Sequence, residues 1–209
     1  MKRFFLMAVS LVALMGCGAK EKIEKALDID ADLLGQFRTK CTEVTVFDGL
    51  PNAIRKVNFT PTGGFKMTDY YYLDDACKDP VLLTEREGDY KAEGELKENK
   101  NIKKINFTTD HVYLTVKSQA AIDILSNSPF DICGIKDWDN RLNKKIELTD
   151  KKCLGKKMPR KGDVNFDVYR VEDEGKKLYM GKAITFELRD DSDDRPRKVD
   201  RELVFTKDK

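Results

Sequence analysis

The chain has 209 residues, and its 39 Lys and Arg nearly balance its 37 Asp and Glu, which leaves a formal net charge of +2 at pH 7. A surface of nearly balanced charge gives no electrostatic reason to expect a nucleic-acid partner. The chain also holds a single histidine, which argues against a histidine-activated nucleophile and against a zinc site with several histidine ligands.

The first element along the chain is a short basic start followed by a mostly apolar run, residues 4–15, that is too short to span a bilayer. This order is typical of a secretory signal peptide. The run ends in Leu14-Met15-Gly16-Cys17, which resembles the lipobox of bacterial lipoproteins. The resemblance implies cleavage of residues 1–16, a diacylglycerol on the Cys17 sulfur and an acylated new amino terminus. The alternative is an ordinary signal peptide with a chance cysteine.

Residues 17–32 are predicted to be the lipidated N-terminus and tether. Two or more acyl chains anchor a protein stably, so we expect a protein held at the bacterial cell envelope. Gly18 and Ala19 follow the cysteine, with no aspartate there. By the same resemblance, this favours the outer membrane over the inner one.

Residues 33–209 are predicted to form one β-domain, because short strand-like segments recur with turn signals between them. Gly88-Asp89 is interpreted as a turn between two of these strands, and Thr109-Asp110 as the turn of a hairpin. Ser118 is suited to cap one short helix near 118–126. The predicted strands are 34–47, 53–60, 65–73, 81–87, 90–96, 102–108, 112–116, 144–148, 164–171, 177–180, 183–188 and 201–206.

Four further cysteines lie in the predicted domain. An even number of cysteines in an exported chain predicts disulfides rather than free thiols. Three pairings are open, and we favour Cys41–Cys77 with Cys133–Cys153 because each pair lies within one half of the chain. Zinc is the alternative, but the spacings are wide and no C-x-x-C is present.

A further resemblance covers the first half of the domain. Gly35-Gln36-Phe37 precedes Cys41, a tyrosine-rich segment from Tyr70 ends at Cys77, and Gly88-Asp89-Tyr90 follows. This order resembles the repeated domain of the secreted Wnt-inhibitor family called adenomatosis polyposis coli down-regulated, with Phe37 where that family has tryptophan. The second half is similar to bacterial lipoproteins that share the same start. The residues that carry this second likeness are Cys133-Gly134, Trp138, Cys153, Pro159, Gly162, Tyr169, Leu178-Tyr179, Gly181 and Arg195-Pro196.

The resemblance implies an all-β fold, a single antiparallel lipocalin-like β-barrel of the kind that binds lipid. A barrel of about eight strands is either filled by side chains or holds one small ligand. We therefore carry two hypotheses: a non-catalytic binder of a lipid or other apolar small ligand, or a structural or interaction lipoprotein with a solid core and a protein or cell-wall partner. Alternation along the strands suggests candidate ligand-binding residues, which are Phe65, Met67, Tyr71, Phe107 and Tyr113.

No catalytic residue, metal ligand or cofactor is expected. His111 falls in a predicted turn, and the acidic run 190–194 is typical of a solvated hairpin tip rather than a calcium loop. The basic run 151–161 is interpreted as a loop held by Cys153, with anionic headgroups or wall polymers as the alternative. We expect a monomer whose partners are the membrane, through its lipid, and an apolar small molecule.

Overall fold

The computed structural model describes residues 29–47, 49–128, 132–153, 156–182 and 189–208. The predicted signal peptide, the predicted lipid attachment at Cys17 and most of the predicted tether lie outside these ranges, as does the predicted strand 183–188. Within the described ranges, no helix has the length and apolar character needed to cross a membrane.

In these ranges the chain is dominated by β-strands, with one short helix that follows the second of the two longest strands. The side chain of Ser118 accepts a hydrogen bond from the backbone N–H of Ala121 at 3.2 Å and so caps this helix. The strands are β1 (Gly35–Arg38), β2 (Thr42–Phe47), β3 (Leu50–Phe59), β4 (Gly64–Tyr72), β5 (Leu82–Glu95), β6 (Lys103–Val116), β7 (Lys145–Glu147), β8 (Lys152–Cys153), β9 (Lys156–Lys157), β10 (Val164–Glu172), β11 (Lys177–Met180) and β12 (Phe205–Lys207); the helix is α1 (Gln119–Ser126), and short 3-10 turns span Ala31–Leu33, Trp138–Asn140 and Ser192–Asp194.

The main sheet closes on itself as a ring. Its strands pair in the order β1-β12-β11-β10-β6-β5-β4-β3, and β3 pairs back with β1, antiparallel throughout. β2 pairs with the first half of β3, β7 pairs with the last part of β6, and β8 and β9 form a separate hairpin. The predicted all-β fold, with a closed antiparallel sheet and one short helix near 118–126, is confirmed. Its likeness to lipocalins stays a prediction.

The turns predicted at Gly88-Asp89 and Thr109-Asp110 are wrong, because β5 and β6 run continuously through both positions. The two segments lie opposite each other across the sheet. The pairing shifts from Glu87 with His111 to Gly88 with Thr109, which leaves Asp110 as an extra residue in β6. This is a β-bulge, and a bulge bends its strand and increases the local twist. A sheet that closes into a ring needs that bend.

Two apolar clusters fill the two ends of the ring. The first, the aromatic cluster, draws on eight strands and includes Phe37, Phe59, Phe65, Phe107, Tyr169 and Phe205. The second, the helical cluster, packs Ile122 and Leu125 of α1 against Tyr71, Leu114 and Trp138. Helix α1 therefore covers one end of the ring, and the aromatic cluster occupies the other.

Both disulfides have the favoured pairing, which is confirmed. Cys41 joins Cys77 across 36 positions and ties the β1–β2 link to the segment between β4 and β5. Cys133 joins Cys153 across 20 positions, and both cysteines belong to the helical cluster. In the chain-entropy view each bridge stabilises the fold by on the order of 3 to 4 kcal/mol, because it restricts the unfolded chain.

Candidate functional site

Between the two clusters, the inner wall of the ring carries a row of polar side chains. Directly paired residues of antiparallel strands share a face of the sheet. The strand register pairs Arg55 with Asp69, Asp69 with Thr84, and Arg86 with Met67. These residues share the face of the sheet on which Val57 and Phe59 point into the core. We call this row the polar belt. It consists of Arg55, Asp69, Thr84 and Arg86, together with Tyr71, which also belongs to the helical cluster.

Arg55 and Asp69 form a two-bond ion pair within the belt. Nε and Nη2 of Arg55 donate to the two carboxylate oxygens of Asp69 at 2.5 and 2.7 Å, the geometry of a strong charge-assisted contact. Burial alone would lower the pKa of Arg55, but the Asp69 carboxylate outweighs it and raises the pKa. The charge of this arginine is therefore compensated.

The same pair shows that the belt is not tightly filled. The side chain of Arg55 keeps 23% exposure and that of Asp69 keeps 16%, although both lie on the inner wall with protein around them. In the aromatic cluster, by contrast, Phe37 and Phe107 have no exposed surface. The side chains of the belt are therefore less completely covered than those of the aromatic cluster.

Arg86 is the uncompensated charge of the belt. Among the described residues it has no ion pair, and its Nε, which is shielded from solvent, has no hydrogen-bond partner. Its Nη2 reaches only the Met67 sulfur, at 3.4 Å, and the guanidinium lies 5.5 and 5.6 Å from the ring centroids of Phe65 and Phe107. Burial and the nearby Arg55 lower the pKa of Arg86 to about 10, although Asp167 and Asp69 act in the opposite direction. Arg86 therefore stays charged at neutral pH.

Two hydroxyl groups on the inner wall are unpaired as well. Tyr71 is 1% exposed and Thr109 is fully buried, and within the described part of the chain neither hydroxyl oxygen has a hydrogen-bond partner. Burial raises the pKa of Tyr71, so its hydroxyl keeps its proton and remains a donor. Leaving a buried polar group unsatisfied costs about 1 to 3 kcal/mol, so these groups mark places where the interior is incomplete.

Asp167 of β10 adds a second ion pair inside the ring. Arg189 Nη1 lies 3.3 Å from its carboxylate, and both side chains are almost fully buried. Burial raises the pKa of Asp167, and the charge of Arg189 opposes that shift. Across the described residues of the interior, Arg55 and Arg189 each have a carboxylate partner and Arg86 has none.

Four of the five residues predicted to line the interior do lie there. Phe65, Tyr71 and Phe107 are buried, and Met67 contacts Arg86. Tyr113 does not join them, because the extra residue Asp110 reverses the alternation along β6. Tyr113 instead stacks on His111 at 5.5 Å, with Lys145 Nζ 3.8 Å from its ring centroid. Sequence reasoning missed Arg55, Asp69 and Arg86, although alternation puts Arg55 on the face of Val57 and Asp69 on that of Tyr71.

The other features considered from the sequence lie on the surface. His111 is nearly half exposed in β6, with Nδ1 3.4 Å from Glu147. Asp74 and Asp75 are exposed, and so are all five residues from Asp190 to Asp194. Within the part of the chain that the structure describes, no group of three or more His, Cys, Asp or Glu is placed to hold a metal ion.

Asp30 fixes the start of the described chain to the aromatic end of the ring. Its carboxylate accepts hydrogen bonds from Lys103 Nζ at 2.6 Å and from the Tyr169 hydroxyl at 2.7 Å. It also accepts the backbone N–H of Asp32 at 3.1 Å, which caps the first 3-10 turn. Asp30 lies near the end of the predicted tether, residues 17–32, and these contacts join it to the ring.

We expect this contact to depend on pH. Burial alone would raise the pKa of Asp30, but the hydrogen bonds from Lys103 and Tyr169 outweigh it, so the pKa lies below its ordinary value of 3.8. Because the pKa of Asp30 is lower in the folded than in the unfolded state, its carboxylate stabilises the fold at pH values above the unfolded-state pKa. This stabilisation is lost as the pH falls through the folded-state pKa. Protection of the backbone amides of residues 31–34 from hydrogen exchange should therefore fall below about pH 4.

The variant Asp30→Asn should show the same loss of protection at pH 7, by about 1 to 3 kcal/mol, since it removes a charged acceptor. Asp32→Asn is the matched control, because the Asp32 side chain is exposed. Equal protection in wild type and Asp30→Asn at pH 7 would contradict the assigned role of Asp30.

No protein-family model and no curated protein sequence matches the chain. The resemblances to bacterial lipoproteins and to the Wnt-inhibitor family therefore stay predictions that rest on the residues named for them.

Proposed function

We propose that this protein is a lipid-anchored protein of the bacterial envelope, at the outer membrane, that binds a small and largely apolar ligand inside the ring without catalysis. The observation that supports it is the incomplete inner wall. Counting only the described residues, Arg86, Tyr71 and Thr109 present buried polar groups without hydrogen-bond partners, and the ion pair beside them keeps exposed surface.

A protein that works only through its outer surface has no use for such an interior. Buried polar groups in folded proteins are nearly always hydrogen-bonded, and a solid core would have apolar residues in these places. The apolar clusters on either side of the belt supply the surface that an apolar ligand needs. An amphipathic small molecule that crosses the belt would meet both kinds of wall.

The test uses the full chain, purified from membranes in detergent, studied by native mass spectrometry and by titration with a fluorescent fatty-acid analogue. We expect one saturable site per chain and a small molecule in the organic extract. Met67→Trp, which enlarges a side chain in contact with Arg86, should reduce the affinity at least tenfold. Tyr113→Trp is the matched control, because that side chain lies outside the interior, and its affinity should match wild type.

Absence of any bound molecule together with absence of saturable binding would contradict the proposal and favour a surface-acting interaction protein.

The lipid anchor is tested separately. Cys17→Ser should move the protein out of the outer-membrane fraction, and wild type should carry the mass of the acyl chains. Recovery of wild type in the soluble fraction, with unmodified Cys17, would contradict the anchor while leaving the binding test standing.

A further inference from the structure

We infer that the ligand inside the ring carries a singly charged carboxylate, as a long-chain fatty acid does, and that this carboxylate pairs with Arg86. The inference rests on the proposed function, because it needs a ligand at the polar belt. It names the chemistry of the ligand's head group and the residue that selects it.

The charges of the interior favour one negative charge. Arg55 is paired with Asp69, and Arg189 with Asp167, so within the described interior Arg86 is the cation in excess. A charge buried without a partner is costly, and it is stabilised when an opposite charge arrives with good hydrogen-bond geometry. A ligand group with two negative charges would carry one more charge than Arg86 can neutralise. The extra charge would be repelled by Asp69 and Asp167.

The geometry of Arg86 suits a carboxylate. Its Nε has no partner in the described structure, and its Nη2 makes only a weak contact with the Met67 sulfur. The edge formed by these two nitrogens can donate two parallel hydrogen bonds to one carboxylate. The rings of Phe65 and Phe107 hold the guanidinium through cation–π contacts, so little side-chain freedom is lost when the anion binds.

Tyr71 supplies a second donor on the same wall. Its buried hydroxyl makes no hydrogen bond of good geometry among the described residues, although Thr84 and Asp69 lie close to it, and its strand also carries Met67, which contacts Arg86. The aliphatic tail would lie against the neighbouring apolar clusters, where burial of each methylene adds to the affinity. Head group and tail are thus recognised by different parts of the interior.

The experiment compares a long-chain fatty acid with the alcohol of the same chain length, using the delipidated full chain in detergent and isothermal titration. Wild type should bind the acid about 10- to 100-fold more tightly than the alcohol, the ratio expected for hydrogen bonds to a charged group. Arg86→Met should bring this ratio close to one while the alcohol keeps its affinity. Arg141→Met is the matched control, because Arg141 is exposed and pairs with Asp137, and it should keep the wild-type ratio.

A second readout separates ligand recognition from a structural role. Because Arg86→Met replaces an unpaired buried charge with an apolar side chain, the ligand-free variant should melt at the same or a higher temperature than wild type. Stabilisation of wild type by the acid should be absent in the variant.

Equal binding of acid and alcohol by wild type would overturn this inference and leave the proposed function intact. Binding of neither would overturn both. A ligand-free Arg86→Met variant that melts well below wild type would assign Arg86 to the fold instead of to a ligand.

Discussion

The variant Asp69→Asn should lower the free energy of unfolding by about 3 kcal/mol. Removing one partner of a buried ion pair typically costs 3 to 5 kcal/mol, because the remaining charge is left without compensation. The lower end applies here because Arg55 keeps 23% of its side-chain surface exposed. The loss would also leave Arg55 uncompensated on the same wall as Arg86, so two unpaired cations would share one interior.

Urea unfolding at neutral pH measures this effect without adding screening salt. Asp137→Asn is the matched control, because Asp137 pairs with Arg141 at the surface, where Nε and Nη2 both donate to one carboxylate oxygen, and such exposed pairs contribute less than about 1 kcal/mol. The double variant Arg55→Leu, Asp69→Leu should recover most of the loss, since both charges leave together. A change under about 1 kcal/mol for Asp69→Asn would show that water already compensates the pair.

The variant Gly88→Ala should be at least as damaging, with a loss of about 3 kcal/mol or more. A Cβ at Gly88 would lie 1.9 Å from the backbone oxygen of Thr108 and 3.0 Å from the backbone nitrogen of Asp110. Neither atom can rotate away, so the bulge in β6 would have to open. Overpacking commonly costs 1 to 3 kcal/mol even where side chains can adjust, and here only backbone can move.

Gly94→Ala is the control within the same strand, because nothing lies within 4 Å of a Cβ at Gly94. Urea unfolding should place Gly94→Ala within about 1 kcal/mol of wild type. If Gly88→Ala unfolds like Gly94→Ala, then β5 and β6 do not meet in the register described.

Local signals predicted much of this fold. The strand 177–180 and the capped helix after Ser118 follow from short-range patterns, and the structure has both. The strand predicted at 201–206 was wrong in its first half, where the backbone N–H of Glu202 bonds to the Asp200 carboxylate. Aspartate side chains often replace strand pairing with such a turn, and the sequence alone could not decide between them.

Long-range features were harder to predict. Gly-Asp and Thr-Asp are equally compatible with a turn and with a bulge, and only the partner strand decides which one forms. The polar belt was missed for another reason, because charged residues on a strand are expected to face water. Arg86 lies in the interior because β5 pairs with a neighbouring strand on each side and the ring closes around that face. No local sequence pattern indicates this closure.

The pairing of β1 with both β12 and β3 also decides how other molecules can contact this protein. Unpaired strand edges are the usual places where a foreign strand adds to a sheet or where chains aggregate edge to edge. Within the described residues, each strand of the ring has a neighbour on both sides along at least part of its length, and further edges belong to the short peripheral strands β2 and β7. Closure of the ring therefore limits strand addition, and it favours recognition through side chains over sheet extension.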